Sequence, residues 1–232
     1  MVRDSREEWK TYKNVFDKAS LLILEKLKSQ HKLDELKSPI SIGKEANIFT
    51  AKVGSKTIIA KIYRVENCNF NKMYSYICTD PRYPKLSGVR RQIIFSWVAR
   101  EYHNLLRAKE VIRVPNPLAQ KNNILLMELI GKEAPSPKVK DILPKNIEKF
   151  FKETVTSIKK LYRSGLIHGD LSEYNILNYR DKPVFIDFSQ GTQVDNPNAQ
   201  ELIERDVKNL CRFFGKYVDV NPDAVLKEII AK

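Results

Sequence analysis

At 232 residues, with 42% hydrophobic and 30% charged side chains, the chain can bury a substantial core and is too apolar for a disordered polymer. No apolar run approaches the ~20 residues of a membrane span, and residues 1–8 lack the hydrophobic segment of a secretory signal, so a cytoplasmic protein is expected. A formal net charge of +13 fits a polyanionic partner such as RNA, or else a solvated basic surface; three cysteines without metal-ligand spacing are expected to be reduced thiols.

Residues 5–30 read as an amphipathic helix. Ser5 and Glu8 match a capping box, and Trp9, Tyr12, Phe16, Ala19, Ile23 and Leu27 recur at helical spacing. Residues 1–37 are therefore expected to form a helical N-terminal addition. Strand-like runs follow at 38–43, 47–53 and 57–63, with Gly54-Ser55 as a hairpin turn. Residues 64–88 lose periodicity and carry Asn, Pro and Gly breakers, which predicts a long, mobile loop. A helix resumes over 89–108, with Ile93, Ile94, Trp97, Val98, Tyr102 and Leu105 as its apolar face. Strands around 117–120 and 124–129 precede a Gly/Pro-rich linker at 131–137. Helical periodicity returns over 146–164 and stops at Gly165, and 198–216 and 222–231 close the chain as helices. The break near residue 131 separates a β-rich half (38–130) from a helical half (131–232). This is an α+β, two-lobe plan whose cleft is the expected nucleotide site.

The chemistry lies in two adjacent stretches, Ile167-His168-Gly169-Asp170-Leu171-Ser172-Glu173-Tyr174-Asn175 and Val184-Phe185-Ile186-Asp187-Phe188. A polar turn and a capped strand would explain either piece alone, but not both in register. Asp170 can orient a nucleophile and accept its proton, while Asn175 and Asp187 offer hard oxygens to Mg²⁺. The protein kinase catalytic loop has the same Asp-to-Asn spacing, and its metal-binding Asp also precedes a Phe. Lys61 is a lone cation in the apolar strand Ile59-Ala60-Lys61-Ile62-Tyr63, suited to the α- and β-phosphates. Glu101 sits on the apolar face of the next helix, where a carboxylate needs a cation; Lys61 is its expected partner, a surface pair with Arg100 or Arg107 the alternative. The turn holding Ile42, Gly43, Lys44, Glu45, Ala46 and Asn47 has one glycine and no Walker pattern, yet lies where phosphates would be covered. Main-chain groups of Glu128 and Ile130 are candidates for the adenine edge, with Met127 behind it.

Together these segments closely resemble the RIO family of atypical protein kinases, over roughly residues 5–230. Gly43-Lys44-Glu45-Ala46-Asn47, the Leu171-to-Asn175 wording and Ile186-Asp187-Phe188-Ser189-Gln190 look like its signatures, in the form of the type-one subfamily. The second subfamily carries an N-terminal winged helix, for which 37 residues before the first strand leave no room.

The resemblance implies a two-lobe kinase-like fold with a minimal C-terminal lobe. It implies ATP with Mg²⁺ or Mn²⁺, serine/threonine phosphorylation including autophosphorylation, and a role in maturing the small ribosomal subunit and its rRNA. It makes Asp170 the catalytic aspartate, Asn175 and Asp187 metal ligands, and Lys61–Glu101 the phosphate-positioning pair. It also implies that Asp187 can accept the γ-phosphoryl as an aspartyl-phosphate, so that the protein works as an ATPase. Only 45 residues follow Asp187, and no Ala-Pro-Glu appears among them, so the protein substrate's docking stays open. Two other readings compete: a small-molecule phosphotransferase of the aminoglycoside or choline kinase kind, and a non-catalytic RNA-binding scaffold.

Overall fold

The computed structural model describes residues 16–65, 68, 70–83 and 89–231; Ser5, Glu8, Trp9 and Tyr12 lie outside them. Asp17 caps helix α1 (Lys18–Ser29), accepting a hydrogen bond from Ser20 N at 2.6 Å. Strands β1 (Glu35–Ile42), β2 (Ala46–Val53) and β3 (Lys56–Tyr63) follow as two hairpins. With β4 (Pro117–Lys121) and β5 (Ile124–Glu128) they make an antiparallel sheet in the order β1-β2-β3-β5-β4.

Strand alternation gives this sheet two apolar faces. Ile58, Ala60 and Ile62 of β3, with Ile124 and Leu126 of β5, pack beneath Leu24 and Leu27 of α1. Ile59 and Tyr63, with Leu125 and Met127, point the other way, toward Trp97 and Val98 of α3 (Arg90–Ala108). Every residue from Ile58 to Tyr63 is therefore buried. That is why β3 reads as a continuous apolar run interrupted by one lysine.

The segment 64–88 departs from its expected form. Helix α2 (Phe70–Cys78) occupies its middle, with Met73 and Ile77 buried one turn apart. A nine-residue helix offers only two or three core positions, too few for a periodic signal to stand out.

The second lobe is built on α4 (Ile147–Arg163), α5 (Ala199–Phe214) and α6 (Pro222–Ile230). Two short pairs flank the residues singled out from the sequence: β6 (Leu166–Ile167) with β9 (Thr192–Gln193), and the hairpin β7 (Ile176–Tyr179) with β8 (Lys182–Phe185). A 3₁₀ turn, Phe188–Gln190, leads out of β8. The core that includes Ile59, Trp97 and Met127 continues through Ile167, Phe188, Phe150 and Leu210, so the lobes share one apolar interior.

Helix α1 seals a whole sheet face, so removing Leu27, 2% exposed, leaves a cavity there. Leu27→Ala should lower unfolding stability by about 2–5 kcal/mol. Urea denaturation measures this, and a loss below about 1 kcal/mol would make α1 a loosely held appendage.

Candidate active site

The two-residue period of β3 puts Lys61 on the same face as Ile59 and Tyr63, away from α1 and toward α3. On that face Lys61 Nζ lies 2.8 Å from Glu101 Oε1 and 3.0 Å from Asp187 Oδ1. Lys61 and Glu101 are almost wholly buried, at 6% and 1% side-chain exposure, while Asp187 opens to solvent at 39%. The Tyr63 hydroxyl donates to Glu101 Oε2, so both carboxylate oxygens are engaged. Burial opposes the Lys61 charge, but Asp187 and Glu101 outweigh it and hold the ammonium well above its usual range. Burial likewise pushes the Asp187 carboxyl up, yet Lys61 and the Ser189 side chain bring it down to about 2.

Asp170 follows β6 on a turn pinned from several directions. Gly169 sits at φ +77°, and a Cβ there would meet Gln190 O at 2.8 Å, so the position requires glycine. Asp206 of α5 accepts from Gly169 N and Leu171 N, both at 2.8 Å, bracketing Asp170. Arg205 Nη2 donates to Gly169 O. His168 lies 3.0 Å from Ile186 O through Nε2 and 3.4 Å from Asp170 N through Nδ1. Those partners fit one neutral tautomer, donating at Nε2 and accepting at Nδ1. Burial holds His168 down at about 4 and pushes Asp206 up to about 7.

Asn175 Nδ2 donates to Asp170 O at 2.8 Å, which leaves its Oδ1 as the atom able to meet a cation. Ile186 N donates to Asn175 O at 3.0 Å, tying the Asp170 turn to the strand end that carries Asp187. Asp187 itself adopts φ 64°, ψ 69°, a left-handed conformation rare for a residue with a side chain and common at functional turns.

Between the lobes lies a cleft of about 310 Å³. Lys61, Glu101, Met127, Glu128, Ile130, Asn175 and Asp187 line it, with Ile40, Ile48, Ile59 and Leu177 as apolar walls. At the expected adenine edge, Glu128 N donates to Asn116 O and Ile130 O accepts from Ser136 N. Of the main-chain groups at Glu128 and Ile130, these two are engaged within the fold. The Glu128 side chain turns to Arg113.

The turn 42–47 lies off this wall. Ile42 is 56% exposed, and the residues that reach the cleft from β1 are Ile40 and Ser41. Lys44, Glu45 and Ala46 are not among the lining residues, and alternation puts Asn47 on the face of Phe49, opposite Ile48. Ile42 pairs with Asn47 to close the hairpin. Asp170 also stands outside the wall, beside Asn175.

A family model described as the RIO domain matches residues 47–225. The chain belongs to the RIO family. Relatives of this RIO chain include the RIO-type serine/threonine-protein kinase Rio1 of Methanocaldococcus jannaschii, 44% identical over 97% of this chain and 79% of that one. Rio1 of Haloferax volcanii is 36% identical over 90% and 73%, and human RIO1 is 28% identical over 89% and 38%. Among solved structures, the Rio2 kinase of Chaetomium thermophilum superposes with a TM-score of 0.71 at 24% identity, covering 89% of this chain and 65% of that one. The RIO chain is thus a Rio1-type atypical kinase with a two-lobe fold.

Three residues of this RIO site escaped the sequence reading. Tyr63 follows Lys61 at the strand spacing that puts both on one face. Asp206 interrupts the apolar face of α5 formed by Leu202, Ile203, Val207 and Leu210, the same signal that singled out Glu101. Arg205 carried no signal, because an arginine beside an acidic residue on a helix is ordinary.

The buried neutral His168 sets an acid limit. Its folded value near 4 lies below the ordinary 6.5, so the unfolded chain binds more protons between those pH values. The His168 contribution is complete above pH ~6.5 and is lost as pH falls toward ~4, at most about 3 kcal/mol. Denaturant unfolding at pH 7.5 and 4.5 should show a smaller drop for His168→Gln than for wild type. Equal drops would mean that His168 does not carry this acid sensitivity.

Proposed function

We propose that this chain transfers the γ-phosphoryl of ATP to serine or threonine, on itself and on a protein substrate, and that it acts on the maturing small ribosomal subunit. The observation that carries the first half is Lys61 held between Glu101 and Asp187 inside the interlobe cleft. A fixed ammonium there can neutralise phosphates, while the apolar walls accept a purine.

Among the described residues no group of three His, Cys, Asp or Glu could hold a metal by itself. An amide oxygen from Asn175 and a carboxylate oxygen from Asp187 form a partial, hard donor set, which suits a Mg²⁺ or Mn²⁺ that arrives with substrate phosphates. When bound, such an ion would neutralise charge developing on the transferred group. Lys61 orients the phosphates, and Asp170, its backbone braced by Asp206 and His168, accepts the proton of the attacking hydroxyl. The hydroxyl oxygen bonds to phosphorus as the bond to the ADP oxygen breaks. Asp170→Ala should keep nucleotide binding and lose phosphorylation by about 10²-fold or more. Autophosphorylation at wild-type rate in that variant would remove Asp170 from the mechanism.

Asp187 offers a second route, ATP hydrolysis through an aspartyl-phosphate. It is ionised at neutral pH and open to the cleft, as a carboxylate nucleophile must be. A Chaetomium thermophilum Rio2 structure is described as an ADP/Mg²⁺-phosphoaspartate complex, which supports this reading.

The ribosomal half rests on charge. Of the basic residues on and after α3, Arg100 is buried, Arg107 donates to Ser164 O and Arg113 pairs with Glu128. Lys145, just before α4, and Lys149, Lys152, Lys160 and Arg163 along it remain exposed, an edge suited to an RNA backbone. No helix among the described residues is long and apolar enough to cross a membrane, and a cytoplasmic site of action fits this reading. With about five phosphates neutralised, log affinity for small-subunit RNA should fall against log salt with a slope of about −3.5 to −4.5. Lys-to-Glu changes along α4 should flatten it; affinity indifferent to both salt and charge would leave the +13 as a solubility feature.

A further inference from the structure

The chain just after α2 buries a carboxylate that the chemistry above does not use. Asp80 is 1% exposed and accepts from Arg82 N, Nε and Nη2 at 2.6–3.0 Å. Its Oδ2 also lies 3.1 Å from Nε of Arg100, which is itself 1% exposed. A buried guanidinium needs a counter-charge. The adjacent Glu101 is committed to Lys61 and Tyr63, which leaves Asp80 in that role.

Arg100 and Asn104 stand one turn apart on α3 and enter the turn that follows Asp187. Arg100 donates to Gly191 O at 3.1 Å and to Gln190 O at 3.4 Å. Asn104 Nδ2 donates to Phe188 O at 2.9 Å and to Gly191 O at 2.8 Å. Arg82 Nη1 donates to Asn104 Oδ1 at 2.9 Å, which fixes the orientation of that amide. The approach is close: a Cβ at position 191 would meet Asn104 Nδ2 at 2.8 Å. The turn in its place presents Ser189 N to Asp187 Oδ1 at 3.4 Å. A second tie runs from Tyr76 of α2 through Arg205 to Gly169 O.

We infer that Asp80 is a positioning residue for phosphoryl transfer: with Arg82 it locks Arg100 and Asn104 against the 188–191 turn, and that turn sets the Asp187 carboxylate. Asp80 and Arg82, just after α2, thereby brace the Asp187 side of the site from within the same chain. The inference rests on the phosphotransferase reading for its kinetic consequence, but not for its structural one.

The test compares full-length wild type, Asp80→Asn and Arg82→Gln. ATP turnover and autophosphorylation are followed against Mg²⁺ concentration, ADP binding is measured in chelator, and amide exchange is read at 188–191 and in α4. For Asp80→Asn, kcat should fall about tenfold or more, and half-saturating Mg²⁺ should rise about fivefold, as expected when a reacting group is displaced. ADP affinity without metal should stay within about twofold, because the purine walls are untouched. Exchange at 188–191 should quicken about tenfold with α4 unchanged, a local rather than global opening. Arg82→Gln should move each readout the same way by a smaller factor. It decides the matter if Asp80→Asn does not fold, since the Arg82 side chain is 22% exposed and better tolerates loss.

Unchanged Mg²⁺ dependence and unchanged exchange at 188–191 would overturn the inference, even alongside a lowered Tm, and reduce Asp80 to a structural ion pair. A wild type that neither hydrolyses ATP nor phosphorylates would sink the phosphotransferase reading instead. The exchange rates would then judge the brace alone.

Discussion

One ammonium group organises this molecule. Lys61 comes from the middle strand of the sheet, Glu101 from the helix behind it and Asp187 from just beyond the β7–β8 hairpin, and both carboxylates stand within 3.0 Å of the lysine nitrogen. A buried lysine is costly unless carboxylates surround it, so each of the three elements is held where the charge is satisfied. Helix α1 covers the opposite face of the sheet, so β3 is shielded on both sides and holds Lys61 on a rigid strand. The cleft opens where Asp187, alone of the trio, is left partly exposed to water.

The site sorts its carboxylates by what surrounds them. Glu101 and Asp80 answer cations in the interior. Asp206 answers main-chain amides and is pushed up to about 7 by burial, against those amides and Arg205. Asp187 has Lys61 close by and falls to about 2. Chemically equivalent side chains thus divide into buried supports and one cleft-facing carboxylate by position alone. Asp170, half-buried between amides held by Asp206, keeps its backbone fixed.

The basic surplus divides in a similar way. Arg100 and Arg107 on α3 turn inward or sideways, to Asp80, to Ser164 O and to the 188–191 turn, and so belong to the fold. Lysines along α4 face solvent, some with a glutamate one turn away, as Lys152 has Glu148 at 2.6 Å. Such exposed pairs add little stability, so these lysines are not needed to hold the fold together.

The linear chain by itself determined the strands, the long helices, the Asp170–Asn175–Asp187 series and the Lys61–Glu101 pair. Each leaves a local mark: alternation, helical periodicity, or a charge stranded among apolar neighbours. The break near residue 131 and the stop at Gly165 are equally local. Tertiary structure alone decided the rest. That Ile40 rather than Ile42 walls the cleft depends on how the β1–β2 hairpin projects, and a side chain's spacing along a strand says nothing of that. Helix α2 was too short to register as periodic, and the Asp80–Arg100–Asn104 brace joins residues from two segments to carbonyls more than 80 positions further on. Main-chain carbonyls carry no sequence signature, so a site supported by them becomes visible only once the chain is folded.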